Sequence, residues 1–324
     1  MENDGQGLGT VGQAPAVTPR ISVVLPVFNG AARLRETVAS ILSQTEGDYE
    51  LIIVDDGSTD ATPSIIAEYA SRDSRIRPLQ QPNAGVTRAL IRGCEAARAP
   101  LIARQDCGDL SRPERLQRMI AVMEQRPACV VASCDVTYTG PEGEVLYTTA
   151  HSSRNIRESL LHARTGDIVG LPHHGAAVFR VEAYRRGGEY RAAFYFAQDL
   201  DLWVRMAALG DICVAEEVLY EARLDLGGIS SRHRSEQLAS LRLIVAIRDA
   251  AGEADRLEKL DQAAAIRPKA RPPSRIGEAR ALYFVAACLR KRADARWRLY
   301  VARAMRRCPW HIRSWILLIR GAVT

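Results

Sequence analysis

From Ile21 onward, short apolar runs alternate with longer amphipathic stretches. Residues 21–25 (ISVVL), 51–54 (LIIV), 76–79 and 101–103 are compact and partly β-branched, as strands buried on both faces are. Between them, residues 31–44, 60–71 and 84–97 place apolar side chains three or four apart over helical lengths. This β-α-β-α-β-α-β order predicts an α/β fold with a Rossmann-like, mostly parallel central sheet, right-handed crossovers and flanking helices. Ligands bind such sheets beyond the carboxyl ends of the strands, which draws attention to residues 26–29, 55–58, 82–85 and 104–109.

Further along, Ser111 as an N-cap, with Pro113 and Glu114 in the first turn, predicts a helix carrying Leu116, Met119, Ile120 and Met123 on one face. Residues 129–134 read as a strand, and 135–147, with Gly140, Pro141 and Gly143 at the turn, as a hairpin. The order is less regular from there to Tyr220. A break at 225–228 precedes a long helix over 230–250, and Pro268, Pro272 and Pro273 mark a linker at about 266–275. Helices then follow over 276–290, 293–306 and 309–320. The expected organisation is a flexible lead-in (1–19), a catalytic domain (20–230) and a helical C-terminal region (231–324).

Composition narrows the class. A chain of 324 residues, 47% hydrophobic and 25% charged, is globular, not collagenous, disordered or a stapled mini-protein. Apolar stretches such as 315–319 fall far short of the roughly 20 residues a spanning helix needs. The first twenty residues carry Glu2 and Asp4 and no apolar core of a signal peptide. Seven cysteines, scattered and never spaced CxxC, predict reduced thiols and a cytoplasmic location. From Ala265 to the end, fifteen Lys and Arg face two acids, giving +13, which leaves −7 for the rest of a chain of net charge +6.

Three acidic clusters follow apolar runs. Asp55-Asp56-Gly57-Ser58 could cap and turn the chain, or present a carboxylate to a nucleobase imide or ribose hydroxyl with Gly57 allowing close approach. Asp106 and Asp109 in RQDCGD would repel unless a divalent cation or a basic group compensates them; the alternative is a capped turn. Asp199 and Asp201 in QDLDLW fall in the first turn of a helix, where Asp199 could take a proton from an attacking hydroxyl, or both could merely cap. Adjacent His173 and His174 point to opposite sides if extended, one toward the cleft and one toward a structural hydrogen bond. Arg88 alone reads as a solvated position.

Taken jointly, these segments resemble the inverting family 2 glycosyltransferases of GT-A fold, over residues 21–230. ISVVLPVFNGAARLRETVASILSQT is similar to the family's opening strand and helix, LIIVDDGSTDAT to its nucleotide-binding turn and NAGVTRAL to the segment whose Arg lies near the nucleotide. ARQDCGDLSRPERL stands where the metal motif belongs, and GAAVFRVEAYRRGGEYRAAFYFAQDLDLWVRM resembles the acceptor region with its catalytic acidic pair. The resemblance implies that Pro26, Phe28 and Asp56 surround the base, Asp56 accepting from a uracil or thymine imide, with Arg88 and Asp106 on the nucleotide side. It implies a Mn²⁺ or Mg²⁺ ion near Asp106 and Asp109, Asp199 as general base, and His174, Gln198, Asp201 and Trp203 along the acceptor cleft. The partners implied are a nucleotide-sugar donor, UDP-linked, and a glycan or lipid-linked acceptor.

Three positions depart from the family's pattern. Gly108 stands where an Asp-x-Asp motif has its second acid, Gln198 replaces a Glu, and Asp225 in the stretch 223–230 replaces a His. A binding protein without turnover and a sugar-phosphate nucleotidyltransferase are the competing readings, although PVFNGAARLRE lacks the latter's Gly-rich basic loop. The basic tail reads as a helical subdomain packed on the core. Its Trp310, Trp315, Ile316 and Ile319 among Arg307, Arg313 and Arg320 also suit peripheral attachment to the inner face of a membrane. No nucleic-acid motif accompanies the charge.

Overall fold

The computed structural model describes residues 18–149, 156–225, 233–269 and 274–322. The expected lead-in up to residue 17, the break from 226 to 228 and linker residues 270–273 lie outside these.

Strands β1 (Ile21–Val27), β2 (Tyr49–Asp55), β3 (Ile76–Gln80) and β4 (Leu101–Arg104) form a parallel block in the order β3-β2-β1-β4. Every residue of β1 and β2 is buried, which is why both read as unbroken apolar runs. Successive side chains alternate across the sheet. Ile21, Val23 and Leu25 pack with Leu34, Val38 and Ile41 of α1 (Ala31–Leu42) and Ile65 and Ile66 of α2 (Thr62–Arg72). Val24 packs on the other face with Leu90 and Cys94 of α3 (Val86–Glu95). Each large apolar side chain so buried contributes about 1.5–3 kcal/mol. Because the chain winds outward from β1 to β3 and then returns to the other side of β1 as β4, the carboxyl ends of β1 and β4 bound a crevice.

Beyond β4 come β5 (Leu110–Ser111), α4 (Arg115–Gln125), β6 (Cys129–Thr139), β7 (Val145–Thr148), α5 (Ile156–His162), a 3₁₀ turn at His174–Ala176, β8 (Val178–Arg180), α6 (Val181–Arg186), α7 (Gln198–Ala207) and β9 (Asp211–Arg223). They extend the sheet as β4-β8-β6-β9-β5, with β7 hairpinned on β6. Here the pairing is mixed. β6 and β9 are parallel, whereas β4–β8, β6–β8 and β5–β9 are antiparallel, so the parallel arrangement expected of the whole sheet belongs chiefly to its first half.

Ser111 is not a helix cap. It pairs with Tyr220 in the sheet and its hydroxyl donates to Gln105 Oε1 at 2.7 Å, so α4 begins four residues later. The long helix expected over 230–250 is α8 (Arg234–Arg248), and a further helix, α9 (Glu253–Ala264), follows Gly252 with Glu253 and Asp255 in its first turn. Helices α10 (Arg275–Lys291), α11 (Trp297–Arg307) and α12 (Ile312–Ala322) complete the chain. Leu282, Val285 and Leu289 of α10 meet Trp297, Tyr300 and Val301 of α11 around Leu146 of β7, and the Tyr300 hydroxyl donates to buried Glu144. That apolar cluster joins the helices to the sheet.

Candidate active site

The loops after β1 and β2 are laced together at the crevice. Asn29, in left-handed conformation at φ 50°, donates its backbone N–H to Ser58 Oγ at 2.8 Å and accepts from the Thr59 N–H through its side chain at 2.8 Å. Asp56 is 3% exposed. Its Oδ1 accepts from Gln81 Nε2 (2.7 Å) and Ala84 N–H (2.9 Å), and its Oδ2 from Gly85 N–H (2.8 Å). Asp56 therefore fastens the β2 turn to the start of α3. Gly57 is required there, since at φ 76° an added Cβ would lie 2.7 Å from the Asn83 nitrogen. Asp55, equally buried, accepts from the Ser58 N–H at 2.9 Å through Oδ1, while its Oδ2 has no hydrogen-bond partner.

At the end of β4 the buried guanidinium of Arg104 donates to the Asp106 carboxylate and to the carbonyl of Gln105 (2.7 Å). Asp109 accepts from the Tyr220 hydroxyl (3.0 Å) and the Arg223 N–H (2.9 Å). Arg115, stacked over the Tyr220 ring at 4.9 Å, donates to the carbonyls of Arg104 (2.7 Å) and Gly175 (2.8 Å), tying β4 to the histidine turn. Burial works against the charge on Asp106, but Arg104 overrides it and holds that carboxyl well below the usual range. Burial and then the charge of Asp106 push Asp109 up. The two acids share one excess charge comfortably and two poorly.

His173 completes this cluster. Its Nδ1 accepts from the Gly175 N–H (3.0 Å) and lies 3.8 Å from Asp109 Oδ2 and 4.0 Å from Asp106 Oδ2. Burial lowers its basicity, so the ring is neutral at pH 7. One ligand atom each from Asp106, Asp109 and His173 lie within 4.8 Å of one another. Ligands of a six-coordinate ion bonded at about 2.1 Å stand roughly 3–4 Å apart, so a small closure suffices. Two carboxylates and a neutral imidazole suit Mn²⁺ or Mg²⁺. The residues fit the ion.

Opposite this cluster, the segment before α7 is anchored to α3. Thr87 Oγ1 donates to the Phe194 carbonyl (2.8 Å), and the Tyr195 ring sits where a Cβ on Gly85 would be, 2.8 Å away. Ala197 then adopts a left-handed φ of 56°, a costly conformation for alanine, and α7 starts immediately after it. Asp199 is partly exposed in the first turn of α7. Burial, reinforced by the nearby charge of Asp106, raises its pKa despite backbone N–H donors at the helix start. Asp106 is thus near enough to act on Asp199 electrostatically, and Asp56 anchors the same α3 terminus on which Tyr195 rests.

The other sequence candidates divide. Phe28 is half exposed after β1, Arg88 is exposed in the first turn of α3, and Gln198 opens α7 beside Asp199. Pro26 is buried within β1, in register with Val54, and does not line the crevice. Asp201 is not a cleft residue: it is 2% exposed and pairs with Arg205 (2.7 Å) and Arg191 (3.4 Å). Trp203 is likewise interior, edge-on to His174 and Phe179. The two histidines exchange the expected places. His174, partly exposed like His173, is held by the Tyr190 hydroxyl (2.8 Å) and Arg104 Nε (3.4 Å), whereas His173 meets the acids, because a 3₁₀ turn replaces the assumed strand. Asp225 is exposed, and 226–230 lie outside the described residues.

A parallel half, a mixed half and acids gathered after the first strands give the architecture of a GT-A glycosyltransferase. The chain belongs to glycosyl transferase family 2, whose family model matches residues 22–188. It is 32% identical over 220 residues to the "Putative glycosyltransferase EpsE" of Bacillus subtilis, covering 66% of this chain and 76% of that one. An uncharacterized glycosyltransferase of Rickettsia prowazekii is 25% identical over 208 residues, 64% of each chain. Among solved structures, S. aureus TarS 1–349 in complex with UDP superposes with TM-score 0.54 at 18% identity, covering 89% of this chain and 87% of that one. The mannosyltransferase PcManGT of Pyrobaculum calidifontis, in complex with GDP-Man and Mn²⁺, superposes with TM-score 0.54 at 21% identity, covering 97% and 88%. These likenesses establish the GT-A fold.

Proposed function

We propose that this glycosyltransferase moves a sugar from a UDP-sugar to a hydroxyl of a glycan or lipid-linked acceptor, with inversion, in the building of a surface polysaccharide. The observation that carries the reading is the Asp106–Asp109–His173 cluster, with Asp199, a carboxylate raised by burial and by the charge of Asp106, taken as the base beside it. The nucleoside lies against Phe28 and the β2 turn, with Arg88 on the same side. Asp56 holds that turn. Asp106, Asp109 and His173 would hold a divalent cation, which when bound neutralises charge on the diphosphate.

Asp199 takes the proton of the acceptor hydroxyl as its oxygen bonds to the anomeric carbon. The bond from that carbon to the diphosphate breaks, its electron pair leaving with the nucleoside diphosphate, and the configuration inverts. Arg104 holds Asp106 ionised and in place throughout. The uridine assignment is supported by TarS, crystallised with UDP and with UDP-GlcNAc, although PcManGT carries GDP-Man.

Among the described residues, no helix is long and apolar enough to cross a membrane. Exposed Trp310, Ile312, Trp315, Ile316 and Ile319 on and before α12 support peripheral contact with a lipid surface. A thermal-shift screen of nucleotide sugars with and without Mn²⁺, followed by an assay of nucleotide release, tests the function. A UDP-sugar that stabilises more with Mn²⁺ and is slowly hydrolysed is expected; stabilisation without release would leave a binding protein.

A further inference from the structure

A cavity of about 900 Å³ lies between the start of α8 and helices α10 to α12. Arg234, Arg275, Arg280, Arg307 and Arg313 line it together with Tyr283, Phe284 and Trp310, and no carboxylate is among the described lining residues. Arg307 pairs with Glu278 at 3.1 Å, whereas the other four guanidinium groups have no acidic partner among the described residues. All four are exposed. The potential they create is registered by His311, edge-on to Tyr283 at 5.4 Å, whose basicity burial and then Arg280 and Arg313 depress. Unpaired guanidinium forks around a hollow match phosphate oxygens, and a rim of aromatic rings covers the apolar or sugar-ring part of an ester.

Two chains of ring contacts lead from the cavity's walls to the segments around Asp199 and His173. Arg234 follows His233, whose ring lies 5.3 Å from that of Phe196, and Phe196 leads directly into Ala197 and α7. From the opposite wall, Phe284 meets Tyr147 at 6.2 Å, Tyr147 stacks on Tyr138 at 4.6 Å, and Tyr138 is edge-on to His173 at 5.8 Å. The hollow is thereby connected to the segments that carry Asp199 and His173, yet it shares no lining residue with the Asp106–Asp109–His173 cluster.

We infer that this cavity is the acceptor's phosphate site: it takes a phosphate or diphosphate ester borne by the acceptor, a second anion site beside the donor's own. The inference rests on the transferase reading and narrows its acceptor to a phosphate-bearing molecule. The ester could belong to a lipid headgroup or to a soluble glycan phosphate; the chemistry recognised is the same.

Titration of the full chain with inorganic pyrophosphate, in EDTA so that the donor cluster is without metal, tests it. Binding should weaken at least about tenfold in Arg280→Ala/Arg313→Ala, recover in part in Arg280→Lys/Arg313→Lys, and persist in Asp109→Asn. Flotation with phosphatidylcholine vesicles containing phosphatidic acid, against vesicles of equal charge made with phosphatidylglycerol, separates the sources. Preference for phosphatidic acid that pyrophosphate abolishes identifies a lipid phosphate, and pyrophosphate binding without that preference identifies a soluble one. No pyrophosphate binding, equal binding in the arginine-to-alanine variant, or loss in Asp109→Asn overturns the site. If pyrophosphate binds through Arg280 and Arg313 but no nucleotide sugar is hydrolysed, the acceptor role falls and an anion site remains.

Discussion

On the proposed donor bank of the crevice, Asp56 is 3% exposed and its carboxylate is occupied by Gln81, Ala84 and Gly85. On the proposed acceptor bank, Asp199 stands partly exposed at the start of a helix entered through a left-handed alanine, its pKa raised by burial and by Asp106. One carboxylate is spent on architecture; the other, in the mechanism we propose, receives a proton. The same contrast runs through the sheet, where a parallel block fixes loop ends by backbone ladders and the mixed half positions its groups through side chains such as Arg115 and Tyr220.

Substitutions on the two banks should separate these roles. Asp199→Asn should lower kcat by about a thousandfold, the scale of a lost general base, with donor affinity within about twofold. Steady-state kinetics alongside donor titration would show the split, and equal losses in both would erase the contrast. Asp201→Ala, two residues on, should instead cost about 3 kcal/mol of stability by orphaning Arg205 and Arg191, measured by urea unfolding, with folded molecules still active. Asp109→Asn should weaken the Mn²⁺ dependence of donor binding about tenfold while binding without metal changes little, as calorimetry can resolve.

Smaller effects concern protons. A base with a raised pKa is lost as pH falls through that raised value, so the acid limb of kcat should lie above the ordinary carboxylate range of about 4. A charge that burial disfavours also costs stability in neutral solution, so Asp199→Asn should melt higher than the wild type in a thermal scan even as it loses activity. A lower melting temperature would place Asp199 among the structural acids with Asp56.

The parallel half was legible because β1, β2 and β4 are buried on both faces and their polar followers are few. The order of the acidic motifs brought Asp56, Asp106 and Asp199 to notice in the same way. Choosing between His173 and His174 required knowing that a 3₁₀ turn, not a strand, carries them. Arg104 hides at the end of an apolar run, and its role depends on a neighbour two residues on and another seventy away. The burial of Asp201 had a signal within reach, Arg205 one helical turn later, which favours an ion pair over a cleft-facing acid. Helix α9 buries Ala263 alone among its described residues, so no apolar stripe announced it.

The proposed arrangement, a single base facing the sugar with departure on the far side, is read most directly by proton NMR of the first transfer product. With an α-linked nucleotide sugar that the enzyme accepts, the account predicts a β-linked product from the earliest time points; an α-linked product would contradict it.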